Sequence, residues 1–179
     1  MAIESVTVLA LDPSLRNTGY VVATVTKDTV SYVSCGVVTT EPKKQNVDSL
    51  ISDATHLYTE VSSLLSQADI VCSEASFFAK DAKAAVVKGV IVGLLTIVRN
   101  KVPLHVVTQS QAKKATEQNF KDKDPKAVVM EWALAHLPES LVPMYRGKIN
   151  QTKFNHIADA VAVLHASLPT LRNHLCKSY

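Results

Sequence analysis

Cysteine is scarce in this sequence. Only Cys35, Cys72 and Cys176 occur, far apart and odd in number, and no Cys-x-x-Cys pair exists. A disulfide framework and a zinc ribbon are both excluded on that count, and free thiols in a reducing compartment are the simplest reading. Long apolar stretches are missing too. The longest, Val90 to Val98, is interrupted by Gly93 and Thr96 and bounded by Lys88 and Arg99. It is too short to span a bilayer and reads as a core helix. No basic stretch precedes an apolar one at the N-terminus, where Glu4 intervenes, so no secretion signal is expected. Glycine is sparse, with five in 179 residues. That leaves no second glycine-rich phosphate loop of the kind a sugar-kinase-like fold needs.

What remains is the composition of one globular domain. The chain is 47% hydrophobic and 20% charged, enough for a single core. The formal net charge of +3 is unevenly spread. Residues 76–126 hold ten Lys or Arg and four Asp or Glu, a local balance of +6, which leaves the rest at −3. A basic middle suits a polyanionic partner. On charge alone a solvated lysine face is the plainer reading.

Patterning predicts the elements. Residues 4–12 read as a buried strand, and 18–26 with 29–39 read as a hairpin broken at "TKD". Residues 47–65 carry a helical apolar stripe. "ADIVCSEAS" reads as a short strand ending on Glu74, "DAKAAVVKGVIVGLLTIVRN" as a helix, and "PLHVV" as another strand. Gly89 and Gly93 in that helix are expected to let it pack closely on the sheet. "SQAKKATEQNF" reads as a helix capped by Ser110. "DPKAVVMEWALAHL" reads as a helix with Asp124 as cap and Pro125 in its first turn. A polar loop is expected over 138–153, then a last helix capped near Asn155, then a loosely held tail over 171–179. The domain itself is expected to fill residues 1–170.

Three acidic residues stand in costly places. Asp12 follows the apolar run "VTVLAL", Glu74 follows "DIVCS", and Asp159 lies among Ile157, Ala158, Ala160 and Val161, with His156 one turn before it. An ionised carboxylate in apolar surroundings is expensive unless paired or bound to a metal. Three that converge raise one another's pKa unless a cation sits between them. Oxygen donors of this kind favour magnesium or manganese. A pair of such ions clamps the attacking and leaving oxygens of a phosphodiester. Each residue also has a plain reading: a turn former before Pro13, the start of a solvated loop, a charge on the wet side of a helix.

Four segments then carry a resemblance: "LALDPSLRNTGYVV", "SEASFFAKDAKAAVVKGVIVGLL", "TQSQAKKATEQNFKDKDPKAVV" and "NHIADAVAVLHA". In this order and spacing they resemble the RuvC family of Holliday junction resolvases, within the ribonuclease H-like superfamily. The resemblance implies an α/β fold with a mixed five-stranded sheet, three antiparallel strands then two parallel ones, flanked by helices. It implies a homodimer that nicks symmetric strands of a four-way DNA junction with Mg2+, two ions per site, with Mn2+ able to substitute. Asp12, Glu74, His156 and Asp159 match the metal-binding and catalytic positions, His156 standing where many members have Asp. Phe77 matches an aromatic that stacks at the junction. Lys113 and Lys126 match lysines that face phosphates, Lys114 is a near substitute for the first, and Lys80 is grouped with them as DNA-binding. Two positions depart from the family: Ser14 replaces the glycine of Asp-Pro-Gly, and Val21 replaces the second glycine of Thr-Gly-Tyr-Gly. Gly19 is expected to adopt a backbone conformation that other residues resist.

The implied setting is the cytoplasm of a bacterium, a phage-infected cell or an organelle, without secretion or a membrane. Two other readings stay open: a related nuclease acting on flaps, forks or structured RNA, and a non-catalytic junction-binding protein.

Overall fold

A computed structural model describes residues 4–41, 46–75, 81–118, 120, 121 and 123–177. The apolar run at the N-terminus forms β1 (Ser5–Asp12), followed by β2 (Asn17–Thr26) and β3 (Val30–Thr39). Then come α1 (Val47–Leu65), β4 (Ile70–Glu74), α2 (Ala82–Lys101) and β5 (Leu104–Val107). Two further helices, α3 (Gln109–Ala115) and α4 (Pro125–His136), lead to a single 3-10 turn over Glu139–Leu141. A two-residue ribbon, β6 (Met144–Tyr145) and β7 (Lys148–Ile149), precedes the long α5 (Gln151–Lys177).

The main sheet has the order β3-β2-β1-β4-β5. β3, β2 and β1 are antiparallel, and β1, β4 and β5 are parallel. That is the mixed five-stranded arrangement the sequence led us to expect. β1 is buried on both faces, which explains its unbroken apolar run. Val8 and Ala10 face a core made with Trp132, Phe154, Ile157 and Val161 of α4 and α5. Leu9 and Leu11 face a second core with Leu57, Val61, Ile91 and Leu95 of α1 and α2. Small residues on the α5 side, Ala10 and Ala23 against Ala158, Ala160 and Ala162, are all buried and let that helix lie close to the strands. Among the described residues no helix is long and apolar enough to cross a membrane.

Several expectations need correction. The tail over 171–177 is helix, because Leu171 and Leu175 are buried along the face that Leu168 continues. Pro169 lacks the N–H that would bond one turn back, yet the buried leucines on both sides carry the helix through it. At its other end α5 starts four residues before Asn155. Asn150 Oδ1 accepts from the Lys153 N–H at 3.2 Å and is the side chain that caps it. α3 is capped by Thr108 rather than Ser110, in a reciprocal capping box with Gln111. The expected loop over 138–153 holds the 3-10 turn and the ribbon. Gly89 and Gly93 do not pack on the sheet: both are exposed, and a Cβ on either would meet nothing within 4 Å.

Candidate active site

Strand register brings the first two carboxylates together. Leu11 pairs with Ser73 in the parallel β1–β4 ladder, so Asp12 and Glu74, each one residue further, stand side by side at the same edge. Parity sets their direction. Side chains alternate along a strand, and Val8, Ala10 and Cys72 all face the α5 core. Asp12 and Glu74 continue that face. Asp159 meets them from α5, where Ile157, Ala158, Ala160 and Val161 anchor the helix in the core.

Their electrostatics record the meeting. Burial, then Asp12, then Asp159 push the Glu74 carboxyl up to about 7, against the pull of Lys113. Burial and then Asp12 push Asp159 up to about 7, against His156, Lys126 and Lys113. His156 Nδ1 lies 3.7 Å from Asp12 Oδ2, with both side chains partly open to solvent. The four residues expected at the site are therefore brought together, and Lys113 and Lys126 act on it. Lys126 is fixed at the start of α4, where its N–H donates to Asp124 Oδ1 at 3.1 Å. Lys114 is exposed and borders two grooves, one with Lys113 and Gln118 and one with Gln111, His165 and Arg172. Phe77 and Lys80 lie outside the described residues.

The donor set suits a hard divalent cation. It is three carboxylates and an imidazole, and burial first, then the charge of Asp12, penalises ionisation of Glu74 and Asp159, a penalty that a cation between them removes. Among the described residues no three His, Cys, Asp or Glu side chains are already gathered at metal-ligand spacing. Without a cation between them, like charges hold such groups apart.

Comparison with known proteins fits this geometry. The family model described as "Crossover junction endodeoxyribonuclease RuvC" matches residues 8–165. The chain belongs to the RuvC family. A crossover junction endodeoxyribonuclease RuvC of Caldicellulosiruptor saccharolyticus is 30% identical over 113 residues, covering 60% of this chain and 66% of that relative. The structure of T. thermophilus RuvC in complex with Holliday junction substrate has a TM-score of 0.68 at 20% identity, over 94% of this chain and 96% of that one. Fowlpox virus resolvase in complex with substrate Holliday junction DNA has a TM-score of 0.57 at 13% identity, over 92% and 98%. At these identities the two structures speak for the fold.

The first RuvC motif departs from its usual glycine at Ser14, and the structure gives the substitute a use. Ser14 Oγ donates to the Asn17 carbonyl at 2.9 Å and accepts from the Asn17 N–H at 3.1 Å. Thr18, fully buried, donates to the Ser14 carbonyl at 2.6 Å and accepts from its N–H at 3.1 Å. The turn after Asp12 is thus closed by hydroxyls. Gly19 corrects another expectation. Its backbone is not in the left-handed region; what it supplies is room, since a Cβ there would lie 2.0 Å from the His156 carbonyl oxygen.

Reasoning from sequence missed one pair altogether. Arg16 Nη1, in the same turn, donates to Asp53 Oδ2 of α1 and to Thr40 Oγ1 at 3.2 Å. Thr40 in turn donates to the Leu15 carbonyl at 2.7 Å. Asp53 is 6% exposed. A polar residue inside the apolar stripe of α1 was the only sign of it.

Proposed function

We propose that this protein is a structure-selective endonuclease that resolves four-way DNA junctions by paired symmetric nicks, leaving 5′-phosphate ends. The observation that carries the reading is the convergence of Asp12, Glu74 and Asp159 from three separate elements on one partly buried volume. RuvC family enzymes are nucleases that generally depend on a divalent metal. Here Asp12, Glu74, Asp159 and His156 would hold it, as two Mg2+ ions with Mn2+ as a substitute. When bound, such ions lower the pKa of the attacking water and stabilise the leaving oxygen.

The chain's own residues supply the rest. The rigid end of β1 fixes Asp12 at the centre of the site. Lys113 and Lys126, which already act on the carboxylates, offset the charge that builds on the phosphorus oxygens. Phosphate contacts of this kind position the duplex arms and carry little sequence information.

Paired nicks need two sites a fixed distance apart, hence a homodimer. The outward face of α2 supports one. Val86 and Val92 are each 53% exposed and Ile97 is 41% exposed, with Gly89 and Gly93 between them and open space above. Such a face, small and apolar, suits a helix crossing its own copy. Its place of action would be the cytoplasm or an organelle, wherever recombining DNA is found.

The test is a synthetic four-way junction with Mg2+, comparing wild type with Asp12→Asn, beside a matched linear duplex, flap, fork and RNA. Symmetric nicks with 5′-phosphate ends in the wild type, absent from the variant and from the duplex, are expected. Nicking that persists in Asp12→Asn refutes the site.

A further inference from the structure

The ribbon of β6 and β7 is too short to be a structural sheet, and its composition is unlike a filler loop. Met144 and Tyr145 are 58% and 61% exposed. The ribbon turns over Arg146 and Gly147, both in the left-handed region at φ 50° and 76°, which is the geometry of a two-residue type I′ hairpin. Glycine fits its position. Arginine does not, since Asn, Asp or Gly adopts the first position more readily. A long cation therefore stands where the turn itself would favour another residue. Its guanidinium carbon lies 5.2 Å from the centre of the Tyr145 ring. Lys148 pairs with Tyr145 across the ribbon and shares its face. Between Glu139 and Asp159 there is no acidic residue, while Arg146, Lys148 and Lys153 are present.

The ribbon is also tied to the site. At its base the Asn150 N–H donates to the Pro143 carbonyl at 2.8 Å, and the Phe154 N–H donates to the Asn150 carbonyl at 2.8 Å. Ile149 packs on the α5 core. The ribbon thus moves with the helix that carries His156 and Asp159. At 1.5 Å per helical residue, its base stands roughly 9 Å along α5 from His156. A groove of about 640 Å3 runs between α4 and α5, lined by Lys126, Thr152, Asn155 and His156 among others. It joins the site to the first turn of α5.

We propose that this hairpin is a second DNA contact, which holds the branch region of a junction. Tyr145 stacks on an unpaired or splayed base, and Arg146 and Lys148 take the neighbouring phosphates. An aromatic face flanked by cations is the usual means of gripping nucleotides outside a regular duplex. The proposal rests on the junction-nuclease reading and extends it to residues outside the carboxylate site.

The test uses the full chain and a fluorescent four-way junction in EDTA, titrated over a range of salt. Tyr145→Ala is expected to bind the junction about fivefold or more weakly with the salt slope unchanged. It should lose less on a linear duplex of equal length. Arg146→Asn retains a residue suited to the turn, so it should melt like the wild type while its salt slope falls by about 1. Wild-type affinity and slope in both variants overturn the proposal. So does an equal loss on junction and duplex for Tyr145→Ala, or a loss that tracks a changed oligomeric mass. Metal-dependent nicking, abolished by Asp12→Asn, tests the parent reading separately. A wild type that nicks junctions beside variants that bind normally overturns this inference alone.

Discussion

The carbonyl group of His156 occupies the space where a side chain on Gly19 would begin. A Cβ there would lie 2.0 Å from the carbonyl oxygen and 2.4 Å from its carbon. Gly19 pairs with Asp12 across the antiparallel ladder. The contact therefore sets how closely α5 approaches the end of β1. Backbone cannot rotate out of the way as a long side chain can. Gly19→Ala should then push α5 outward, at a cost of about 1–3 kcal/mol in stability. The separation of His156 and Asp159 from Asp12 should grow with it. A displacement near 1 Å at reacting groups lowers rates on the order of a hundredfold. Thermal melting and single-turnover nicking of a four-way junction would measure the two effects. A variant that nicks at the wild-type rate shows that α5 does not need this approach.

The same residue shows what the sequence can and cannot say. Asp12 and Glu74 were legible because each ends an apolar run, and a charge at the end of a buried strand needs a reason. Asp159 was legible because it breaks the apolar face of a helix. The five strands were legible from short apolar and β-branched runs and from the polar break between β2 and β3. Gly19 was noticed, but the pattern suggested a backbone conformation. Its actual role, making room for a carbonyl 137 positions later, exists only once α5 is packed. The opposite held for Gly89 and Gly93. Their spacing in a helix suggested close packing on the sheet, and spacing alone does not say which side of the helix faces in. The end of α5 was missed because proline is a local signal, whereas the burial of Leu171 and Leu175 is a tertiary one.

Arg16 and Asp53 form a pair whose two members are unequally placed. The Asp53 side chain is 8% exposed and that of Arg16 is 39% exposed. Removing one partner of a buried pair leaves the other uncompensated. Arg16→Met strands a carboxylate that water barely reaches. Asp53→Asn leaves a guanidinium that water already reaches, and the amide still accepts from it. The arginine variant should therefore lose more stability, about 2–3 kcal/mol against about 1 for the asparagine variant. Denaturant unfolding of both variants, with the double variant to isolate their coupling, measures this. Arg16 also anchors the turn after Asp12, so junction nicking should fall in the same order. Equal losses of stability in the two single variants would contradict the asymmetry.

His165 gives the fold an acid-sensitive point away from the carboxylates. Its ring meets Trp132 edge-on at 4.8 Å and His136 edge-on at 5.0 Å, and its Nε2 shares a hydrogen bond with the Tyr32 hydroxyl at 2.8 Å. Burial first, then His136 and Arg172, push its pKa down to about 4. The unfolded chain would take up that proton near 6.5. Between these values the unfolded state binds a proton that the folded state refuses, so stability falls as pH falls from about 6.5 to about 4. Gln at 165 keeps a hydrogen-bonding partner for Tyr32 but does not titrate. Melting of wild type and His165→Gln in EDTA at pH 7.5 and 5.0 should show a steeper loss in the wild type. Parallel losses would mean that His165 does not bear the acid sensitivity.

Glu74 and Asp159 shift in the other direction, and this predicts how a cation should stabilise the protein. Both are pushed up to about 7, burial being the largest cause for each and Asp12 the next. Their unfolded values lie near 4. Without a cation, the folded state is penalised for ionising them. The penalty is fully present above about pH 7 and fades as pH falls toward 4. A divalent cation binds the ionised form and competes with protons for the same oxygens. The rise in melting temperature on adding Mg2+ should therefore be small at pH 6 and larger at pH 8. Taking the difference with and without Mg2+ at each pH cancels the contribution of His165, which does not face the cation. Asp159→Asn removes one of the two titrating groups, so the pH gradient of the Mg2+ effect should flatten, while the melting temperature in EDTA at pH 8 should rise. An Mg2+ effect that is uniform from pH 6 to pH 8 in the wild type would show that these carboxylates do not hold the ion.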